Sequence, residues 1–131
     1  MSLETAEHLP EESAAVFVQT LCKHSDTVLF CAAPPPQPGV KHINLQFPSY
    51  WAKLITEQGF VCLDFLRGKL WDDERVCYFY RQSTMLFIKE GEALERFVER
   101  NIAELSSQPL DVWHPDMLRH YRDRVWKYMG V

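Results

Sequence analysis

Apolar residues recur along the chain at two spacings, one typical of helices and one typical of buried strands. Helical spacing predicts a helix over residues 11–23, with acidic residues in its first turn, and a second that begins at Pro48 and ends at Gly59. The same spacing recurs in two further stretches and predicts two more helices, marked by Leu94, Phe97, Val98, Ile102 and Leu105 and by Leu118, Tyr121, Val125 and Tyr128.

Three stretches have the composition of strands. Continuous apolar runs predict buried strands over 27–33 ("TVLFCAA") and 60–66 ("FVCLDFL"). The segment 76–89 ("VCYFYRQSTMLFIK") is rich in aromatic and β-branched residues, which predicts a long strand paired with 60–66 as an antiparallel hairpin. Because "TVLFCAA" is too apolar for an open sheet edge, we expect something to cover it.

The alternation of helices and strands predicts one α/β domain over 1–131, with an open sheet and flanking helices in 1–90 and C-terminal helices in 91–131. The 131 residues are 47% hydrophobic and 24% charged, which is ordinary for a globular protein. The formal charge of −4 gives no general attraction for nucleic acid or an anionic membrane, so neither is expected as a partner. The acidic N-terminus is unlike a signal peptide, which favours a cytoplasmic protein.

Cysteines and histidines give no sign of a metal centre. Four cysteines, none in a CxxC pair, predict buried reduced thiols without disulfides. The histidines at 8, 24, 42, 114 and 120 lack paired ligand spacing, so no metal is expected. The run "RHYRDRVWKY" (119–128) mixes cations with aromatics, but the aromatics fall on the apolar stripe, which favours a solvated basic helix face.

Two polar sets precede and follow the predicted second helix. His42, Asn44 and Gln46 stand at alternate positions before it, as in a site that holds a polar small molecule or in a loop bonded to its own backbone. Trp51 lies just beyond and joins the candidate substrate-binding set. A second set flanks the 76–89 segment and predicts a structural ion-pair cluster in which a buried arginine pairs with Asp64 or Asp72: Asp64, Arg67, Trp71, Asp72, Tyr80, Arg81 and Gln82.

Four stretches of the sequence resemble a known family. They are "SLETAEHLP" (2–10), "VLFCAAPPPQPGVKHINLQFPSYW" (28–51), "FLRGKLWDDERVCYFYRQSTMLF" (65–87) and "LDVWHP" (110–115). In this order and spacing they resemble the C-terminal half of class I S-adenosylmethionine-dependent methyltransferases that act on small molecules. Two positions depart from the family pattern: Leu45 stands where an acidic residue is usual and Ser83 where asparagine is usual.

The resemblance implies a truncated Rossmann-like half-sheet. The family's strand order is 3-2-1-4-5-7-6, and the predicted strands at 27–33, 60–66 and 76–89 would be the fifth, the sixth and the antiparallel seventh. Residues 1–4 would retain the end of the fourth strand, which places Glu4, Glu7 and His8 at a carboxyl end, where open α/β sheets bind ligands. His8 would be a general base and the two glutamates substrate ligands; alternatively, Glu7 and Glu12 would be solvated acids at the start of a helix and His8 a cap.

The cofactor half of the family has no counterpart in these 131 residues. The five glycines are scattered, and none follows a strand as the glycine-rich turn that holds S-adenosylmethionine. We therefore expect no cofactor bound by this chain alone and no transfer activity. Two alternatives stay open: completion of a split methyltransferase by a separate cofactor-binding chain, and a non-catalytic oligomerisation or binding module.

The same truncation would leave a strand edge uncovered. We expect a homodimer through the 27–33 edge and the 11–23 helix. The side chains expected at or near its interface are Val28, Leu29, Phe30, Phe17 and Leu21.

Overall fold

A computed structural model describes residues 1–64, 66–101 and 111–129. It shows a small open mixed sheet of four strands, β1 (Ser2–Leu3), β2 (Thr27–Cys31), β3 (Phe60–Leu63) and β4 (Met85–Lys89), in the order β1-β2-β4-β3. β1 runs parallel to β2, and β4 is antiparallel to both β2 and β3. The α/β class and the buried strands at 27–33 and 60–66 are confirmed, with slightly shorter bounds.

In the described parts of the chain, six helices accompany the sheet: α1 (Ala14–His24), α2 (Pro48–Thr56), α3 (Leu66–Leu70), α4 (Tyr78–Ser83), α5 (Glu92–Asn101) and α6 (Pro115–Met129). Short 3-10 turns cover Ala6–His8 and Glu11–Ser13. The four helices predicted from apolar spacing are confirmed, although Ile102 and Leu105 lie outside the described residues. Within the described ranges, no helix combines the length and the apolar character needed to cross a bilayer.

The core lies between one face of the sheet and the helices α1 and α2. Strand alternation turns Val28 and Phe30 of β2 to this face. Phe30 packs there on Trp51 of α2, with the ring centroids 5.4 Å apart. β4 adds Met85 and Phe87 to this core, and β3 adds Phe60 and Cys62. Val18 and Cys22 of α1 pack in the same cluster. All four cysteines are free thiols; Cys22, Cys31 and Cys62 are buried as predicted, but Cys77 is exposed, so the predicted burial is wrong there.

The long strand predicted over 76–89 is wrong over 76–84: only Met85–Lys89 is a strand, and Tyr78–Ser83 is a helix. β3 is only four residues long and pairs with Leu86 through Lys89, so an extended segment at 76–83 would have no partner strand on that side. A helix satisfies its own backbone, and α4 forms there despite the aromatic and β-prone composition. The antiparallel pairing of the two strands is confirmed, but α3 and α4 lie in the connection, so the pair is not a tight hairpin.

β1 covers part of the edge that the sequence leaves open. Ser2 pairs with Phe30 and Leu3 with Cys31, and the N–H of Glu4 donates to the carbonyl oxygen of Cys31 at 2.9 Å. The N-terminal segment thus lies against the outer edge of β2 and sets the position of residues 4–8. This part of the chain carries the first half of the candidate site.

Candidate functional site

The candidate site forms where two segments meet beyond the carboxyl ends of β1 and β2. The carbonyl oxygen of Glu7 accepts backbone hydrogen bonds from Ile43 at 2.9 Å and Asn44 at 3.0 Å. These bonds join the 3-10 turn after β1 to the proline-rich loop after β2. The two polar sets, at 4–8 and at 42–46, are therefore neighbours in the fold.

A cavity of about 660 Å³ opens beside this junction. Glu4 and His42 form part of its wall, and helices α4 and α6 supply the opposite side. The polar and aromatic residues that line it are Glu4, Gln37, His42, Tyr78, Tyr80 and Arg124. A cavity of this size, with a few convergent polar groups, is typical of a small-molecule site.

Glu4 is held firmly at the cavity wall. Its carboxylate accepts hydrogen bonds from the thiol of Cys31 at 3.0 Å and from Nε2 of Gln37 at 2.5 Å. Its φ is +49°, a left-handed conformation that a non-glycine residue adopts at a cost and that clusters at functional sites.

The surroundings of Glu4 favour its protonated form more than water does. Burial raises the pKa of the Glu4 carboxyl above its usual value, and the nearby Glu7 charge raises it further. The hydrogen bonds from Cys31 and Gln37 offset part of this rise. Burial, and then the charge of Glu4, also raise the pKa of Tyr78 and Tyr80, so both phenols remain protonated at neutral pH. Glu4 is thus a carboxyl group suited to proton transfer, facing two neutral phenols across a cavity.

Glu7, His8 and His42 form a compact group beside this wall. The Glu7 side chain is fully buried, and neither carboxylate oxygen has a hydrogen-bond partner among the described residues. Nε2 of His8 and Nε2 of His42 each lie 4.0 Å from Oε1 of Glu7. The two imidazole rings meet edge to face with centroids 4.9 Å apart. These two histidines are 34 positions apart in the sequence, without paired ligand spacing, and the fold brings them together.

The remaining members of the loop set are not equivalent. Gln46 donates through Nε2 to Oδ1 of Asn44 at 3.0 Å, so these two are partly bonded within the loop. Asn44 is buried, and its Nδ2 has no partner in the described part of the chain. Trp51, expected with the substrate-binding residues, is 1% exposed and belongs to the core, where it packs on Phe30 and Tyr50. Its predicted role at the site is therefore not supported by its position.

The expected ion-pair cluster is present with partly different partners. Arg67 is buried and forms a bidentate ion pair with Asp64, as predicted. Asp72 is exposed, whereas Arg81 reaches Asp116 of α6 at 2.6 Å and the carbonyl oxygen of Trp71 at 3.1 Å. Gln82 accepts the backbone N–H of His114 at 2.8 Å. Tyr80 does not join these contacts and lies in the cavity wall instead.

Three site residues were missed from the sequence. Gln37 is buried against Glu4. It is the only polar residue of the run "PPPQPG", and this is the sequence signal that could have identified it. Tyr78 was assigned only to a strand, and Tyr80 to the structural cluster. Both reach the cavity because their segment is a helix that packs near α6.

The four stretches that carry the family resemblance are linked by hydrogen bonds, and three of them, 2–10, 28–51 and 65–87, line the cavity. Residues 2–10 contact 28–51 through the Glu4 and Glu7 bonds described above. Asp111 accepts hydrogen bonds from the backbone N–H of Ser49 at 2.9 Å and its hydroxyl at 2.6 Å, and Trp113 donates to the carbonyl oxygen of Pro35 at 2.7 Å. His114 donates through Nε2 to the carbonyl oxygen of Trp71 at 2.8 Å, which ties "LDVWHP" to the 65–87 stretch.

Comparisons of the chain with protein-family models, curated proteins and solved structures find no match.

Proposed function

We propose that this chain forms the acceptor-substrate side of a small-molecule methyltransferase fold and does not transfer methyl groups by itself. The observation that carries the proposal is the convergence of the four stretches. They are separated in the sequence, yet hydrogen bonds link each stretch to at least one other, and three of them, 2–10, 28–51 and 65–87, line one cavity. A chance likeness in four separate places gives no reason for that arrangement.

The sheet order also supports the proposal. The resemblance implies the family order 4-5-7-6 for this part of the fold, with the seventh strand antiparallel between the fifth and sixth. The observed order β1-β2-β4-β3, with β4 antiparallel to both neighbours, has the same pattern. In open α/β sheets the ligand lies beyond the carboxyl ends of the strands, which is where Glu4 and His42 line the cavity.

The proposal excludes cofactor binding by these residues alone. Methyl transfer requires the sulfonium carbon to be aligned with its acceptor, and the described cavity has no glycine-rich turn to hold the cofactor. Isothermal titration of the chain with S-adenosylmethionine is the test, and we expect no binding in the micromolar range. Micromolar binding would contradict the proposal.

A second candidate is that a separate polypeptide completes an active enzyme. The observation that favours it is the strained backbone and bonded carboxylate of Glu4, because such strain persists where a site is kept. The encoding gene's neighbouring reading frame should then contain a strand, a glycine-rich turn and a helix. Its product, mixed with this chain, should transfer a methyl group from labelled S-adenosylmethionine to a small-molecule extract, and an adjacent frame without that pattern would count against this candidate.

A further inference from the structure

The tautomers of His8 and His42 follow from their backbone partners. Nδ1 of His8 lies 3.1 Å from the carbonyl oxygen of Lys41, and Nδ1 of His42 lies 3.3 Å from that of Gln37. A carbonyl oxygen only accepts hydrogen bonds, so each Nδ1 carries the proton and each neutral ring presents its lone pair at Nε2. Histidines that bind metals are oriented in this way, with the distal N–H bonded to a carbonyl group.

Three electron-rich atoms therefore face one another without a donor between them. Each Nε2 lies 4.0 Å from Oε1 of Glu7, too far for a hydrogen bond, and the ligand atoms of the three residues all lie within 4.8 Å of one another. A buried carboxylate with no partner is costly unless a proton or a cation neutralises it. Ligands on a tetrahedral ion with bonds of about 2.05 Å stand about 3.3 Å apart, so an inward shift of under about 1 Å would bring Glu7 and each histidine into place.

We propose that Glu7, His8 and His42 form a binding site for a divalent transition-metal ion of the zinc class. Two imidazoles and one carboxylate suit zinc and related first-row metals, whereas calcium and magnesium take oxygen ligands. Glu7 is fully buried and His42 nearly so, whereas the His8 side chain is 42% exposed. An ion can therefore enter from the side of His8. Three protein ligands leave a coordination position for water, beside a cavity that His42 also lines.

The inference departs from the expectation of no metal, which rested on sequence spacing alone. It does not depend on the proposed function, because metal binding is measured without cofactor or acceptor. The site would give the acceptor side of the fold a Lewis acid next to the cavity.

Zinc titration against a chromophoric chelator tests the site, using chelator-treated protein. A Cys77→Ser background removes the exposed thiol, the most accessible competing ligand. We expect one equivalent of zinc per chain. Glu7→Gln, His8→Ala and His42→Ala should each lower the affinity by more than the roughly 10- to 100-fold that loss of an outer-shell partner costs.

His24→Ala is the matched control, because His24 is exposed and bonds within α1 to the carbonyl oxygen of Thr20. It should leave zinc affinity unchanged. Circular dichroism of each variant checks the fold. If the Glu7 and His42 variants prove unstable, His8→Ala still tests the site, because it removes only a partly exposed side chain. Absence of zinc binding, or binding that the three variants leave intact, would overturn the proposal.

Cobalt substitution identifies the ligand atoms. Nitrogen and oxygen ligands give visible d–d bands without the near-ultraviolet charge transfer of thiolate, so that charge-transfer band would assign the metal to cysteine and overturn the proposal. Long-range nitrogen–proton spectra of the metal-free chain should show both rings protonated at Nδ1, with the Nε2 resonances moving when zinc is added. Protonation at Nε2 of His8 and His42 would equally contradict it.

Discussion

At the scale of single residues, backbone carbonyls decide how the site side chains point. Lys41 has φ +58°, and its backbone carbonyl oxygen accepts a hydrogen bond from His8. The backbone carbonyl oxygen of Gln37 accepts one from His42, and its side-chain amide donates one to Glu4. The two histidine bonds could not be predicted from spacing, because each joins a side chain to a backbone carbonyl whose direction depends on the fold of the loop. The resemblance implied a strand end before Glu4, Glu7 and His8, and the apolar run at 27–33 predicted the strand that precedes His42.

Gly39 is the residue whose size sets the space for His42. A Cβ built at Gly39 would lie 2.1 Å from both Cε1 and Nε2 of that ring. Gly39→Ala should therefore displace the ring from Gln37 and lower the free energy of unfolding by about 1–3 kcal/mol, as overpacking does. Urea unfolding measures the loss, and the His42 resonances report the displacement.

Gly68→Ala is the matched control, because nothing lies within 4 Å of a Cβ built there and the residue is inside α3. Alanine at this position should be neutral or stabilise by up to about 1 kcal/mol. If Gly39→Ala left both stability and the His42 resonances unchanged, the steric role of Gly39 would be refuted.

At the scale of elements, apolar periodicity predicted the helices and the two buried strands because each depends mainly on which side faces the core. The helix α4 could not be predicted in this way. Its segment has strand-like composition, and it became helical because β3 is too short to pair with it. Whether a strand-prone segment finds a partner is decided by other parts of the chain, so local composition cannot settle it.

The Arg67–Asp64 pair fixes α3 to the end of β3, and breaking it should be costly. Both side chains are below 10% exposed, at 5% and 8%, so Arg67→Met leaves an unpaired carboxylate in the interior. We expect a loss of about 3–5 kcal/mol, most of it recovered in Arg67→Met with Asp64→Leu. Denaturant unfolding of the four members of this cycle provides the measurement.

Arg75→Met is the comparison for this pair. Arg75 also pairs with an aspartate, Asp73, but its side chain is 89% exposed. Its loss should change stability far less than the loss of Arg67, because solvent screens an exposed ion pair. Equal costs for Arg67→Met and Arg75→Met would show that burial does not set the strength of these pairs.

Asp116 attaches α6 to α4, and this attachment should depend on pH. The hydrogen bond from Arg119 lowers the pKa of the Asp116 carboxyl, and the bond from Arg81 lowers it further, against a partial rise from burial. His114 faces the same carboxyl at 3.6 Å, but its Nδ1 accepts the Asp116 backbone N–H, so its neutral form fits the contact. Because the folded-state pKa is below the unfolded value, the stabilisation is present above about pH 4 and is lost as the pH falls through the folded value.

Asp116→Asn should therefore lower stability at neutral pH and reduce its fall in acid, measured as urea midpoints between about pH 6 and pH 2. Asp123→Asn is the control on the same helix, because Asp123 is exposed and its ion pair is with the exposed Arg122. An acid profile that Asp116→Asn does not change would refute the role of this carboxylate.

At the scale of the whole molecule, the sheet edge at β2 governs how the chain can assemble. Val28 and Phe30, expected at a dimer interface, are 2% and 0% exposed within the single chain, so they are unavailable to a partner. Leu29 of β2 and Phe17 and Leu21 of α1 remain half-buried. Strand alternation puts Leu29 on the opposite sheet face from α1, so the two sets flank the edge rather than form one patch.

We propose a homodimer in which the N-terminal segment is exchanged between copies. β1 pairs only two residues with β2, the strained Glu4 follows it directly, and the contacts of this segment with β2 could form equally with a second copy. Exchange places β1 of one copy on β2 of the other, so the edge of each β2 stays covered by a β1 strand. Direct pairing of two β2 edges would instead displace β1 from both copies. Two-fold symmetry makes the exchange reciprocal.

Sedimentation over a range of concentrations should show a dimer, and Leu29→Lys should dissociate or aggregate it because a charge would be placed beside the shared edge. Val61→Lys is the matched control, since Val61 is also half-buried but lies on β3, the opposite edge strand. In a mixture of labelled and unlabelled chains, isotope-filtered contacts between Ser2 and Phe30 would be intermolecular in the exchanged dimer. A well-folded monomer at high micromolar concentration, or contacts found only within one chain, would show that β1 covers its own edge and that the exchange does not occur.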